Sequence, residues 1–210
     1  MSSTMPALTA FALNCSLKTS EDDEPSSTDK MIADLFSFLQ PHGVTGSSRR
    51  MADQNIPPGV RSDEGGGDEW PELRKLILTA DIFVLATPIW MGQPSSLAKR
   101  VLERLDAFLS ETDDRGRMPS SGKVAVVLVV GNEDGAHHCH AACFQALNDV
   151  GFTIPANAGG YWVGEAMQDV NYIDLKKIPD KVKMTLEMLA SNSAHLARLL
   201  RQDNYPGVDE

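Results

Sequence analysis

Residues 81–97 read D-I-F-V-L-A-T-P-I-W-M-G-Q-P-S-S-L, and the fold turns on how this stretch is divided. From Ile82 to Ala86 it is an unbroken apolar run of β-forming residues, short enough for a strand buried on both faces. Thr87-Pro88 breaks the run: proline has no N–H for a sheet ladder, so the strand is expected to end there and give way to a loop over residues 87–94. Ser95-Ser96 then caps a helix in which Leu97, Val101, Leu102, Leu105 and Phe108 recur at helical spacing. Open α/β sheets hold their ligands at the carboxyl ends of such strands. The loop carrying Trp90, Met91 and Gly92 therefore falls where a planar, partly apolar ligand would fit.

Toward the amino terminus, residues 8–13 form a short apolar run that reads as a first strand, followed by a polar loop to about residue 27. That loop holds Ser16, Lys18, Thr19, Ser20, Ser26 and Ser27, and it enters a helix from about Thr28 to Leu39 with Met31, Ile32, Leu35, Phe36 and Leu39 on one face. Free amides and the helix dipole make such a hydroxyl-rich helix entrance an anion site, suited to a phosphate. Residues 44–51 give a weakly marked second strand, residues 56–59 and 65–67 irregular chain, and residues 70–78 a short helix.

Toward the carboxyl terminus, residues 123–130 (K-V-A-V-V-L-V-V) are the most strongly β-branched run in the chain and a buried strand. This strand too empties into a polar loop, Gly131-Asn132-Glu133-Asp134-Gly135, ahead of a helix from about residue 136 to 150. Residues 152–154 read as a last short strand, residues 156–164 as a loop with adjacent Tyr161 and Trp162, and residues 178–201 as an amphipathic helix. Five strands separated mostly by helices predict one α/β domain over residues 1–210, a doubly wound parallel sheet of order 2-1-3-4-5 with helices on both faces. In that order the first, third and fourth strands are neighbours, so the loops after Leu13, Ala86 and Val130 converge on one site.

Composition narrows the function. The 210 residues carry 19 Lys and Arg against 29 Asp and Glu, a formal net charge of −10, which argues against nucleic-acid binding. No apolar run of about 18 residues is present to insert in a membrane, and the N-terminus lacks the features of a secretory signal, so the expected location is cytoplasmic. Three cysteines without an export signal are expected to be reduced thiols.

The segments N-C-S-L-K-T-S, A-T-P-I-W-M-G-Q-P-S-S-L-A-K and G-N-E-D-G-A-H-H resemble the three flavin-contacting loops of the flavodoxin-like NAD(P)H-dependent FMN reductase family. The resemblance covers about residues 7–165 and is most specific in the second and third segments. It implies that Ser16, Lys18, Ser27 and Thr28 hold the FMN phosphate, and that Thr87, Pro88, Ile89, Trp90, Met91 and Gly92 line the flavin. It also implies that Gly131, Asn132, Glu133, Asp134 and Gly135 offer amides near the ring's pyrimidine end, where negative charge develops when hydride arrives. His138 would lie at the flavin rim.

No strong protein acid or base is then required, because the flavin carries the reactive atom. Trp90, with Tyr161 or Trp162, would stack nicotinamide and acceptor in turn. The implied activity is oxidation of NADPH or NADH with transfer of electrons to a quinone, free flavin or similar small acceptor, by a homo-oligomer in which Trp162 or the last helix supplies an interface. One departure from the family pattern is the acidic run Glu21-Asp22-Asp23-Glu24 within the first loop, which would repel a phosphate unless it points into water.

Two rival functions share the fold: a flavodoxin-type electron carrier, favoured by the acidic surface, and a flavin-free regulatory or interaction protein. The cluster His137-His138-Cys139-His140 with Cys143 invites a metal reading, but it has no matching ligand pair elsewhere and reads as a helix face with buried thiols.

Overall fold

The computed structural model describes residues 7–21, 24–165 and 167–208. Strand β3 (Ile82–Trp90) lies at the centre of the sheet, paired in parallel with β1 (Leu8–Asn14) on one side and β5 (Val124–Val130) on the other. Beyond β1 lies β2 (Val44–Arg50), and beyond β5 lies β6 (Gly159–Trp162), both parallel. The sheet is six-stranded: β2-β1-β3-β5-β6 form its main path, and the two-residue β4 (Gln93–Pro94) folds back antiparallel on β3. The doubly wound class is as expected, with this small hairpin added.

Alternation along the strands builds two cores. Phe83 and Leu85 of β3, with Val127 and Val129 of β5, pack under α2 (Trp70–Thr79), α3 (Ser96–Leu105) and α4 (Ala136–Asp149). The intervening residues Ile82, Val84 and Val126 pack under α1 (Ser27–Leu39) and α5 (Asp180–Gln202). Because both faces are covered, β5 is buried at every position, which is why its sequence shows no alternation.

Two expectations need correction. Strand β3 does not stop at Thr87-Pro88 but runs on to Trp90, turns through Met91 and Gly92, and returns as β4. Pairing with β1 ends at Ala86, so Pro88 sits where that side of the ladder is already finished and its missing N–H is tolerated. Met91 (φ 53°) and Gly92 (φ 73°) are both left-handed, as a two-residue hairpin turn demands.

The second correction concerns the last strand. Thr153 makes only an isolated bridge to Val124, and the ladder resumes at Gly159–Trp162, inside the predicted loop. The two glycines of this strand are there for close packing. A Cβ on Gly159 would lie 2.8 Å from the His140 ring, and one on Gly160 would lie 2.7 Å from Leu186.

Candidate functional site

At the carboxyl ends of β1, β3 and β5 a cleft of about 300 Å³ opens between the three loops. Its walls are Ser16–Lys18 from the loop after β1, the first turn of α1, Pro88, Ile89 and Trp90 from β3, and residues 130–133 at the end of β5 and just beyond it. Trp162 of β6 and residues 171–174 complete it. The cleft is polar at the α1 end and apolar along Pro88, Ile89, Val130 and Trp162.

The polar end is organised by Asn14 and Ser26. Ser26 caps α1 by accepting from the Asp29 amide at 3.3 Å, and the helix geometry leaves the Ser27 and Thr28 amides no acceptor in the preceding turn. Asn14, the last residue of β1, donates to Ser26 Oγ at 3.3 Å and accepts from the Ser16 amide at 2.8 Å, fixing the loop against the helix entrance. Lys18 is the one Lys or Arg among the cleft-lining residues, and its Nζ is 2.8 Å from Glu24. Of the acidic run, Asp22 and Asp23 lie outside the described residues, Glu21 is exposed, and Glu24 is held by Lys18.

A strap that the sequence reading left unassigned crosses the same end. The Ile173 amide donates to Ser27 Oγ at 3.1 Å, Tyr172 Oη to Asp34 at 2.7 Å, and Lys30 Nζ to the carbonyls of Tyr172 and Leu175 at 3.0 and 2.6 Å. Asn171 and Asp174 form a reciprocal capping box within it. The sequence signal was N-Y-I-D, a cap pattern too short to point to a binding site by itself.

At the apolar end the second and third loops are locked together. The Glu133 carboxylate accepts from the amides of Met91 (3.2 Å) and Gly92 (3.3 Å), and a Cβ on Gly135 (φ 122°) would meet the Gly92 backbone at 2.8 Å. The Gly131 amide donates to the Trp162 carbonyl and the Gly135 amide to Asp134 Oδ1. Among the described residues the amides of Asn132, Glu133 and Asp134 have no acceptor. Residues 167 and 168 brace this loop: the Met167 amide donates to the Asn132 carbonyl, and Asn132 Nδ2 to that of Gln168, both at 2.9 Å.

Of the residues singled out from the sequence, Ser16, Lys18, Ser27, Thr28, Pro88, Ile89, Trp90, Gly131, Asn132, Glu133 and Trp162 meet in this cleft. Thr87 is fully buried, donating to the Pro88 carbonyl and accepting from the Ser95 amide. Met91, Gly92, Asp134 and Gly135 do not line the cleft: Gly92, Asp134 and Gly135 form the contact between the two loops, and Met91 at the hairpin turn is exposed. Trp162 packs on Tyr172, with ring centroids 5.6 Å apart. Its neighbour Tyr161 points to the other face of β6, edge-on to His137 and His140.

His138 lies on the far side of Trp90, with Nε2 2.9 Å from Gln93 Oε1. Both border a second, largely apolar groove of about 980 Å³ between α3 and α4, walled by Trp90, Leu102, Leu109 and Ala146 among others. Of the rest of the His/Cys cluster, Cys139, His140 and Cys143 are buried, whereas His137 is exposed. Burial pushes the Cys139 thiol up to about 11 and the Cys143 thiol up to about 12, and it holds His140 down to about 4. Among the described residues no three His, Cys, Asp or Glu side chains group as a metal site would need.

A phosphorylated flavin fits this donor set: amides and hydroxyls at a helix N-terminus for the phosphate, and apolar walls for a planar ring. Comparisons with known proteins agree. The chain is 32% identical, over 95% of its length and 80% of the relative's, to 8-demethyl-8-aminoriboflavin-5'-phosphate synthase of Streptomyces davaonensis. It is 37% identical over 92% of its length to the divalent metal cation transporter MntH of Mycobacterium bovis, but spans only 29% of that protein. No described helix is long and apolar enough to cross a membrane. Among solved structures, RosB with bound 8-demethyl-8-formylriboflavin-5'-phosphate superposes with a TM-score of 0.84 at 31% identity, over 95% of this chain and 82% of that one. Residues 8–168 match the family model of the NADPH-dependent FMN reductases, and with these relatives that match places the chain in the NADPH-dependent FMN reductase family.

Proposed function

We propose that the chain is an FMN-dependent oxidoreductase that takes hydride from NADPH or NADH and passes electrons to a quinone, free flavin or similar small acceptor. The observation that carries this reading is the cleft itself, where an anion-accepting helix entrance and an apolar slot meet at the carboxyl ends of β1, β3 and β5. Ser16, Lys18, Ser27 and Thr28 hold the phosphate, while Pro88, Ile89 and Trp90 bound the ring. Bound FMN would supply the reversible two-electron carrier. The Asn132 and Glu133 amides would stabilise negative charge on a bound ring, as an oxyanion hole does. Trp90, about half exposed, offers its indole face to nicotinamide and acceptor in turn. In the overall reaction the nicotinamide gives up a hydride, and a quinone acceptor gains two electrons and two protons, the second proton coming from water.

FMN-loaded protein is expected to consume NADPH or NADH with multiple turnovers when a quinone or free flavin is supplied. If neither nicotinamide reduces the loaded protein, the reductase reading fails. The likeness to the synthase and to RosB favours one second reading, in which the flavin phosphate is the reactant and leaves altered. Mass spectrometry of flavin recovered after turnover separates the two, since a reductase returns FMN of unchanged mass.

The proposed assembly is a homo-oligomer in the cytoplasm. A second copy seated on the α3–α4 groove would cover Leu109, about half exposed, together with Trp90 and Leu102, giving an apolar groove of this size a partner. Sedimentation of a monomer would contradict this.

A further inference from the structure

We propose that Arg50 is a positioning residue that sets the charge at the phosphate end of the cleft and so makes the site select a phosphorylated flavin over the same flavin without its phosphate. The proposal rests on the flavin reading of the cleft, whichever fate the flavin has there. Asp29 stands in the first turn of α1, next to the Ser27 and Thr28 amides. A carboxylate there stabilises the helix end but opposes any anion that docks on the same turn.

Both oxygens of that carboxylate are engaged. Asn14 Nδ2 donates to Oδ1 at 2.5 Å, and the Arg50 guanidinium donates to Oδ2 and forms a salt bridge with it. Arg50 also donates to the Thr19 carbonyl at 2.5 Å, tying the loop after β1 to the same point. The reach follows from the sheet: Asn14 and Arg50 are register partners, the last residues of β1 and β2.

The Arg50 side chain is 16% exposed, against 46% for Lys18, so its charge is the less screened of the two. Lys18 is in addition shared with Glu24, and Glu133 and Asp174 add negative charge to the cleft walls. Without Arg50, Asn14 would still hold the Asp29 carboxylate at the helix entrance, now uncompensated. Arg50 does not line the cleft, so its effect reaches the ligand through Asp29 and the loop.

The test compares FMN and riboflavin, which share a ring and differ in the phosphate, by quenching of flavin fluorescence on wild type, Arg50→Met and the double variant Arg50→Met/Asp29→Asn. Arg50→Met is expected to weaken FMN at least about tenfold and riboflavin less than about twofold, and adding Asp29→Asn is expected to restore most of the loss. Equal weakening of both flavins, unchanged FMN affinity, or no restoration in the double variant would overturn the proposal.

If Arg50→Met does not fold, Asp29→Asn alone decides. Equal or tighter FMN binding supports the proposal, and a tenfold loss confined to FMN overturns it. A wild type that binds neither flavin, or binds both equally, brings down the flavin-phosphate reading together with the proposal, whereas a wild type that prefers FMN beside an indifferent Arg50→Met brings down the proposal alone.

Discussion

Gly131 shows how little room separates packing from binding in this chain. A Cβ there would already lie 3.1 Å from Ile89, a wall of the cleft, so the larger side chain in Gly131→Val must displace that wall. FMN affinity is expected to fall by about tenfold or more in a folded variant, and unchanged affinity would remove this loop from the site.

His140 makes a second residue-level prediction. Burial holds it down to about 4, well below the ordinary histidine value of about 6.5. The folded state therefore stays neutral where the unfolded chain takes up a proton. Its contribution to stability is complete above about pH 6.5 and is lost progressively as the pH falls toward 4. Between pH 7 and 5 the wild type should lose roughly 2 kcal/mol that His140→Gln retains, read from urea unfolding at the two pH values. Parallel losses in the two proteins would contradict the assignment.

At the scale of elements, Ser95 links the start of α3 to the loop after β1. Its hydroxyl accepts from the Ala98 amide at 3.1 Å and donates to the Cys15 carbonyl at 2.7 Å, so it caps the helix and satisfies a buried carbonyl at once. Ser95→Ala is expected to cost about 2 kcal/mol in denaturant unfolding, more than a solvent-exposed cap, and a cost below about 0.5 kcal/mol would show that the second bond carries nothing. This element was legible in the sequence because a cap followed by helical spacing is a local signal. The strands β1, β3 and β5 were legible for the same reason, being short apolar runs that end in polar loops.

What could not be read depends on distant partners. The glycines of β6 are explained only by His140 and Leu186 packed against them, and Pro88 is tolerated in β3 only because β1 has already ended. Residues 171–174 reach the cleft through hydrogen bonds to α1 across more than a hundred positions of sequence, which no local pattern announces. Arg50 went unnoticed because its strand looked weak, although the sheet register delivers it to Asp29.

Across the whole molecule, a net charge of −10 coexists with the proposed anion site, so on this reading the field at the cleft is shaped locally. Arg104 shows the same economy in the scaffold. Its side chain and that of Asp68 are fully buried as a pair at 2.6 Å, with further bonds to the carbonyls of Arg61 and Pro57 that pin the glycine-rich loop before α2. Arg104→Met should destabilise the fold by about 3 kcal/mol or more in denaturant unfolding, because it strands a buried carboxylate, and a cost under about 1 kcal/mol would contradict that view.

The central claim is that the cleft between the three loops holds FMN. The most direct measurement is the absorption spectrum of the purified protein after addition of excess FMN and desalting, followed by fluorescence titration of any protein that comes through colourless. Retained flavin absorbance, or saturable quenching with one FMN per chain, is the result this account predicts. A colourless protein whose titration shows no saturable binding would contradict it and leave only the fold.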